Sequence, residues 1–124
     1  MSENLSPEFE SNKRIYNKLV RDQIPEIIAR DNATCETRTM EQEEFITALA
    51  EKLTEESKEF TEAEEKSAQI KELADISEVI KTIMAELDID PDEVEVVRQQ
   101  RRDERGGFEK RIFLISTEGG NYKS

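Results

Sequence analysis

The chain has 124 residues, enough for one domain with a modest core, and 39% of them are charged, giving a formal net charge of −12. Such an acidic chain repels a nucleic-acid backbone or an anionic membrane and attracts cations instead. It has no histidine and a single cysteine, Cys35, so the usual zinc sites and imidazole-based triads are excluded, and any metal must be held by oxygen.

Residues 1–13 are polar, with Pro7 and several serines, and read as a disordered tail ahead of a domain expected over 14–118. The acidic start lacks the basic and apolar regions of a signal peptide, and no apolar run nears the roughly 20 residues of a spanning helix, so a cytoplasmic protein is expected. In YNKLVRDQIPEIIARD, residues 17–22 form a charged loop. Asp22 is placed to cap a short helix over about 23–31, with Pro25 in its first turn, where a missing N–H costs little. TCETRTM, residues 34–40, alternates β-branched and polar side chains and predicts a short strand. Thr39 and Gln42 have the spacing of a capping box, opening a long helix over about 40–65, and a break at 66–68 separates it from another over about 69–87. Asp90 caps a further helix with Pro91 at its first position and Gly106-Gly107 at its end. FEKRIFLIST, residues 108–117, predicts a second strand, and 119–124 a loose tail. The class is mainly α: a helical bundle on an antiparallel helix hairpin, with two short peripheral β-strands that pair with each other or across a dimer.

The chemistry concentrates on the two long helices. On the first, Phe45, Leu49, Leu53, Phe60 and Ala63 share an arc of about 80° at roughly 100° per residue, with Glu56 inside it and Glu59 about 40° beyond its edge. On the second, Leu73, Ile76, Val79, Ile80, Ile83 and Leu87 form the apolar arc, Glu72 falls inside it, and Asp75 borders it. With the chain reversing near Lys66, Glu59 meets Glu72 and Glu56 meets Asp75 at nearly equal heights. Four converging anions are destabilised by desolvation and mutual repulsion, so the pattern calls for a cation, and an all-oxygen donor set favours Mg²⁺ or Mn²⁺. Arg98, Arg101, Arg102 and Arg105 make a basic stripe on the last helix; with Lys18 and Arg21 they are candidates for phosphate oxygens, which the guanidinium fork fits.

Glu55-Glu56-Ser57-Lys58-Glu59, followed after a gap by Glu72-Leu73-Ala74-Asp75, resembles the Glu-Glu-x-x-Glu and Glu-x-x-Asp pattern of the MazG-like all-α nucleoside triphosphate pyrophosphohydrolases. YNKLVRDQIPEII, from Tyr16, and ERGGFEKRIFL, from Glu104, resemble signatures of the small phosphoribosyl-ATP pyrophosphohydrolase-like branch, so the similarity runs from Ile15 to Ser116. Gln23 departs from it, standing where the branch usually has lysine. The resemblance implies Mg²⁺-dependent cleavage of a nucleoside triphosphate between its α and β phosphates, with Mn²⁺ as the alternative ion. The expected products are a monophosphate and pyrophosphate, and the expected role is house-cleaning of the nucleotide pool or service to a specific pathway. It implies Glu56, Glu59, Glu72 and Asp75 as metal ligands, and Glu55 or Glu56 as the carboxylate that accepts a proton from the attacking water. It further implies Lys18, Arg21, Arg101 and Arg105 as phosphate contacts, a homodimer or homotetramer, and no nucleic-acid or membrane partner. Two other readings stay open: phosphoribosyl-ATP cleavage, and a helical module that sequesters a nucleotide without cleaving it.

Overall fold

The structure, a computed structural model, describes residues 13–124, so the tail expected at 1–13 lies outside the described residues but for Lys13. Among these residues the chain is mainly α, with four helices: α1 (Ile24–Arg30), α2 (Gln42–Glu62), α3 (Lys66–Glu86) and α4 (Pro91–Arg105). It divides after Leu87 into two compact units. None of the described helices is long and apolar enough to cross a membrane.

In the first unit α2 and α3, each of 21 residues, pack along one another. The Gln42 amide at the start of α2 donates to the Glu86 carbonyl at the end of α3 (3.2 Å), so the two run antiparallel. Their apolar positions recur at helical spacing, and where the stripes meet, Leu49 and Val79 are buried, at 3% and 8% exposure. Phe45, Leu53, Ile76 and Ile83 are half-buried. Glu43 and Glu44 in the first turn of α2 suit the positive end of the helix dipole, and Glu44 takes a two-pronged bond from Arg38 that ties down the preceding segment.

The boundaries differ from the sequence reading at three points, each for a local reason. Asp22 does not cap α1: the N-cap is Gln23, and the turn is opened by the Ile24 N–H donating to the Arg21 carbonyl (3.1 Å). The Thr39–Gln42 capping box does not form, because the N-cap of α2 is Glu41 and the Gln42 amide is engaged with α3. The break between the long helices falls at Ala63–Glu65 rather than at 66–68. Lys66, Ser67 and Ala68 have nothing that opposes helix, and the Gln69 N–H already reaches the Glu65 carbonyl (3.0 Å).

The two strands expected at 34–40 and 108–117 are absent among the described residues. A strand gains its stability from a neighbour that completes the ladder, and an alternating pattern supplies only the face. In the second segment the Arg111 N–H closes a turn on the Phe108 carbonyl (3.1 Å), and Arg111 itself takes a left-handed conformation (φ 57°), which interrupts extended backbone.

In the second unit, α4 forms as its punctuation dictates. The Asp90 carboxylate accepts the Asp92 N–H (2.9 Å), Pro91 opens the helix, Asp92 and Glu93 follow in the first turn, and Arg102 and Arg105 occupy the last. Gly106 ends the helix at φ 86°, a value that glycine reaches without strain. Asp90→Ala is expected to lower stability by about 1 kcal/mol. Amide exchange at Asp92 and Glu93 reads this directly and should accelerate.

Candidate active site

The side chains buried between α2 and α3 are not all apolar. Beside Leu49 and Val79 lie Glu56 and Glu72, only 6% and 7% exposed. With the connection centred on Glu64, Glu56 and Glu72 stand at matching distances from it, so these two share a height, and Glu59 and Asp75 flank them. Glu56 is the hub. Its carboxylate lies in one group with Glu55 and Glu59 and in another with Glu72 and Asp75, and within each group the oxygens come within 4.8 Å of one another.

Such crowding perturbs protonation. Burial, then hydrogen bonding to Glu59 and Asp75 and repulsion by their charges, pushes the Glu56 carboxyl up to about 8, so that it carries the proton its neighbours share. Glu59, at the exposed rim, is lowered by the hydrogen bond it receives from Glu56, helped by Glu72 and the charges of Lys71 and Lys52. Burial raises Asp75, but bonds from Lys71, Glu56 and Arg21 outweigh it and hold the group below its ordinary value.

Among the described residues four cations press on this cluster. The loop before α1 brings two: Lys18 Nζ lies 3.5 Å from Glu55 Oε2, and Arg21 Nη2 lies 2.7 Å from Asp75 Oδ1. Asn17 turns the chain just ahead of Lys18 with φ 47°, a conformation asparagine tolerates better than most residues. The helices bring the other two, Lys52 at 3.1 Å from Glu55 Oε2 and Lys71 at 3.1 Å from Glu72 Oε1 and 3.3 Å from Asp75 Oδ2.

One atom is left over. Glu72 Oε2 is buried and has no hydrogen-bond partner among the described residues, an arrangement that is costly for a carboxylate oxygen unless something positive meets it. Carboxylates from two rigid helices, all hard oxygen donors with one already unpaired, fit a divalent cation such as Mg²⁺ or Mn²⁺.

Glu55, Glu56, Glu59, Glu72 and Asp75 are thus brought together, with Lys18 and Arg21 upon them. Arg101 and Arg105 lie on α4 in the second unit, both exposed. Lys52 and Lys71 were missed by the sequence reading. Their signal was present in the i,i+3 spacing to Glu55 and the i,i+4 spacing to Asp75, by which each lysine meets a carboxylate on its own helix.

A family model for phosphoribosyl-ATP pyrophosphohydrolase matches residues 17–102, a span that takes in all five carboxylates, all four cations around them and Arg101, and stops short of Arg105. No curated protein and no solved structure matches the chain. With well over half of the chain matched, and with it both long helices and the whole carboxylate cluster, the chain belongs to the phosphoribosyl-ATP pyrophosphohydrolase family, one of the MazG-like all-α pyrophosphohydrolases.

Proposed function

We propose that this chain is a Mg²⁺-dependent nucleoside triphosphate pyrophosphohydrolase that splits its substrate between the α and β phosphates and clears unwanted nucleotides from the cytoplasmic pool. The observation that carries the reading is the unpartnered, buried Glu72 Oε2 inside a cluster of five carboxylates. Glu56, Glu59, Glu72 and Asp75 hold the ion, with Mn²⁺ as the alternative to Mg²⁺. When bound, the ion supplies the positive charge that draws in and neutralises the phosphates.

The remaining roles fall to the chain's own groups. Glu55, fixed through Oε2 by Lys52 and Lys18, accepts the proton of the attacking water, with Glu56 as the alternative. The water oxygen bonds to the α-phosphorus, and the bridging oxygen departs with the pyrophosphate. Lys18 and Arg21, standing beside the cluster, stabilise the charge that builds on the leaving group. Residues 14–118 form the catalytic domain, with 119–124 as a tail. A homodimer or homotetramer is supported by apolar side chains left exposed on α3 (Ile70, Leu73, Ile80) and in the second unit (Val97, Phe113). Light scattering of the purified protein reads its mass, and a monomer would refute that part.

A second reading, phosphoribosyl-ATP cleavage, is favoured by the description of the matching family. That substrate carries the same phosphate chain, so the carboxylates serve either. Pyrophosphate release from a panel of canonical, deoxy and damaged nucleoside triphosphates, with phosphoribosyl-ATP alongside, separates the two. Release from phosphoribosyl-ATP alone would replace the first reading by the second. Silence across the panel, with metal-dependent nucleotide binding intact, would leave a sequestering module.

A further inference from the structure

Lys71 has no role in the proposed reaction, yet among the described residues it is the one cation that reaches both carboxylates α3 contributes to the cluster. Its Nζ lies 3.1 Å from Glu72 Oε1 and 3.3 Å from Asp75 Oδ2. These residues are its immediate neighbour and the residue one turn on, so the helix fixes where the ammonium can stand. The side chain is nevertheless 69% exposed, held by its two ion pairs and little packing, and is free to leave them.

The position is contested as soon as a divalent ion arrives. Glu72 and Asp75 are then claimed by the ion, and an ammonium kept within a few ångströms of it meets a like charge across a short gap. Moving outward relieves that repulsion. Lys71 stands on the solvent side of these carboxylates, from which a substrate would approach, and an ammonium with three donors suits phosphate oxygens as a mobile point charge.

We infer that Lys71 is a transfer cation: it occupies Glu72 and Asp75 while no divalent ion is bound, and binds the substrate's polyphosphate when one is. The inference rests on the reading of the cluster as the metal site of a pyrophosphohydrolase. It sets Lys71 apart from a lysine that merely neutralises surface charge, because the two equilibria shift in opposite directions when it is removed.

The test uses the full chain and two titrations by calorimetry, MnCl₂ alone, then inorganic pyrophosphate added to the Mn²⁺-loaded protein. Lys71→Ala is compared with Lys71→Arg and with Lys81→Ala, an exposed position on the same helix that changes net charge equally. Lys71→Ala should bind Mn²⁺ several-fold more tightly, its competitor gone, and pyrophosphate about tenfold more weakly, the loss of a charge-assisted contact. Lys71→Arg should stay near the wild type in both, and Lys81→Ala should change neither. Weaker Mn²⁺ binding by Lys71→Ala would make the lysine a support for the ligands and overturn the inference, as would an unchanged pyrophosphate affinity. A wild-type protein that binds no Mn²⁺ would overturn the metal-site reading as well; an unaltered Lys71→Ala beside a wild type that binds the ion would overturn the inference alone.

Discussion

Glu56→Gln is expected to abolish turnover while leaving the helical circular dichroism unchanged, and to make the metal-free protein more stable than the wild type at pH 9. Both halves follow from the position of Glu56 between the two groups of carboxylates. Loss of a partner that merely supports a metal ligand commonly costs about 10–100-fold, so loss of the carboxylate all the others share should lower kcat by at least about 10²-fold. Glutamine has the shape of a protonated glutamate and keeps a donor toward Glu59 and Asp75, so it retains the hydrogen bonds of the protonated cluster without the buried charge. Stability gained where activity is lost is the mark of a group kept for chemistry rather than folding. Turnover equal to wild type would remove Glu56 from the site.

The second large effect is on stability against pH. In the folded, metal-free chain the Glu56 carboxyl is pushed from 4.5 to about 8, so across that interval the native state keeps a proton that the unfolded chain has lost. Its contribution is complete below about pH 4.5, declines as the pH rises, and is gone above about 8. Asp75 and Glu59 have the opposite sign. Both are lowered, so their contributions are present above their ordinary values of 3.8 and 4.5 and are lost as the pH falls through the range below. In EDTA, Tm should therefore decline from pH 5 to pH 8, by an amount corresponding to a few kcal/mol at about 1.4 kcal/mol per unit of pKa displacement. A divalent ion binds the ionised carboxylates and stabilises the native state more as protons cease to compete, so the gap between Tm with Mg²⁺ and Tm in EDTA should widen over the same interval. Glu56→Gln should show neither the decline nor the widening. A gap that stays constant from pH 5 to pH 8 would mean the ion binds elsewhere.

The carboxylates were legible because a helical period places Glu56 and Glu72 within apolar stripes, and a glutamate among Phe45, Leu49 and Leu53 has few explanations on a surface. Convergence survived an error of about three residues in the position of the turn, because each helix offers two carboxylates one turn apart: moving the break to Ala63–Glu65 changed which pair stands level, not which residues meet. The termini were less legible. Gln42 could serve its own helix end or cross to α3, and only packing decides between them. The strands failed for a related reason, since TCETRTM and FEKRIFLIST carry the pattern of a face without any sign of the partner a ladder needs. Lys71 and Lys52 were hidden by abundance: in a chain 39% charged, a lysine one turn from an acid attracts no notice until the acid is known to be part of a site.

The most direct test of the account is pyrophosphate release by the wild type and by Glu72→Gln, each with Mg²⁺ and with EDTA, on the best substrate of the panel. Metal-dependent catalysis by the α2–α3 carboxylates predicts wild-type release matched by monophosphate, lost in EDTA, restored by added Mg²⁺, and absent from Glu72→Gln under every condition. Release that survives EDTA, or equal release by Glu72→Gln, would contradict it.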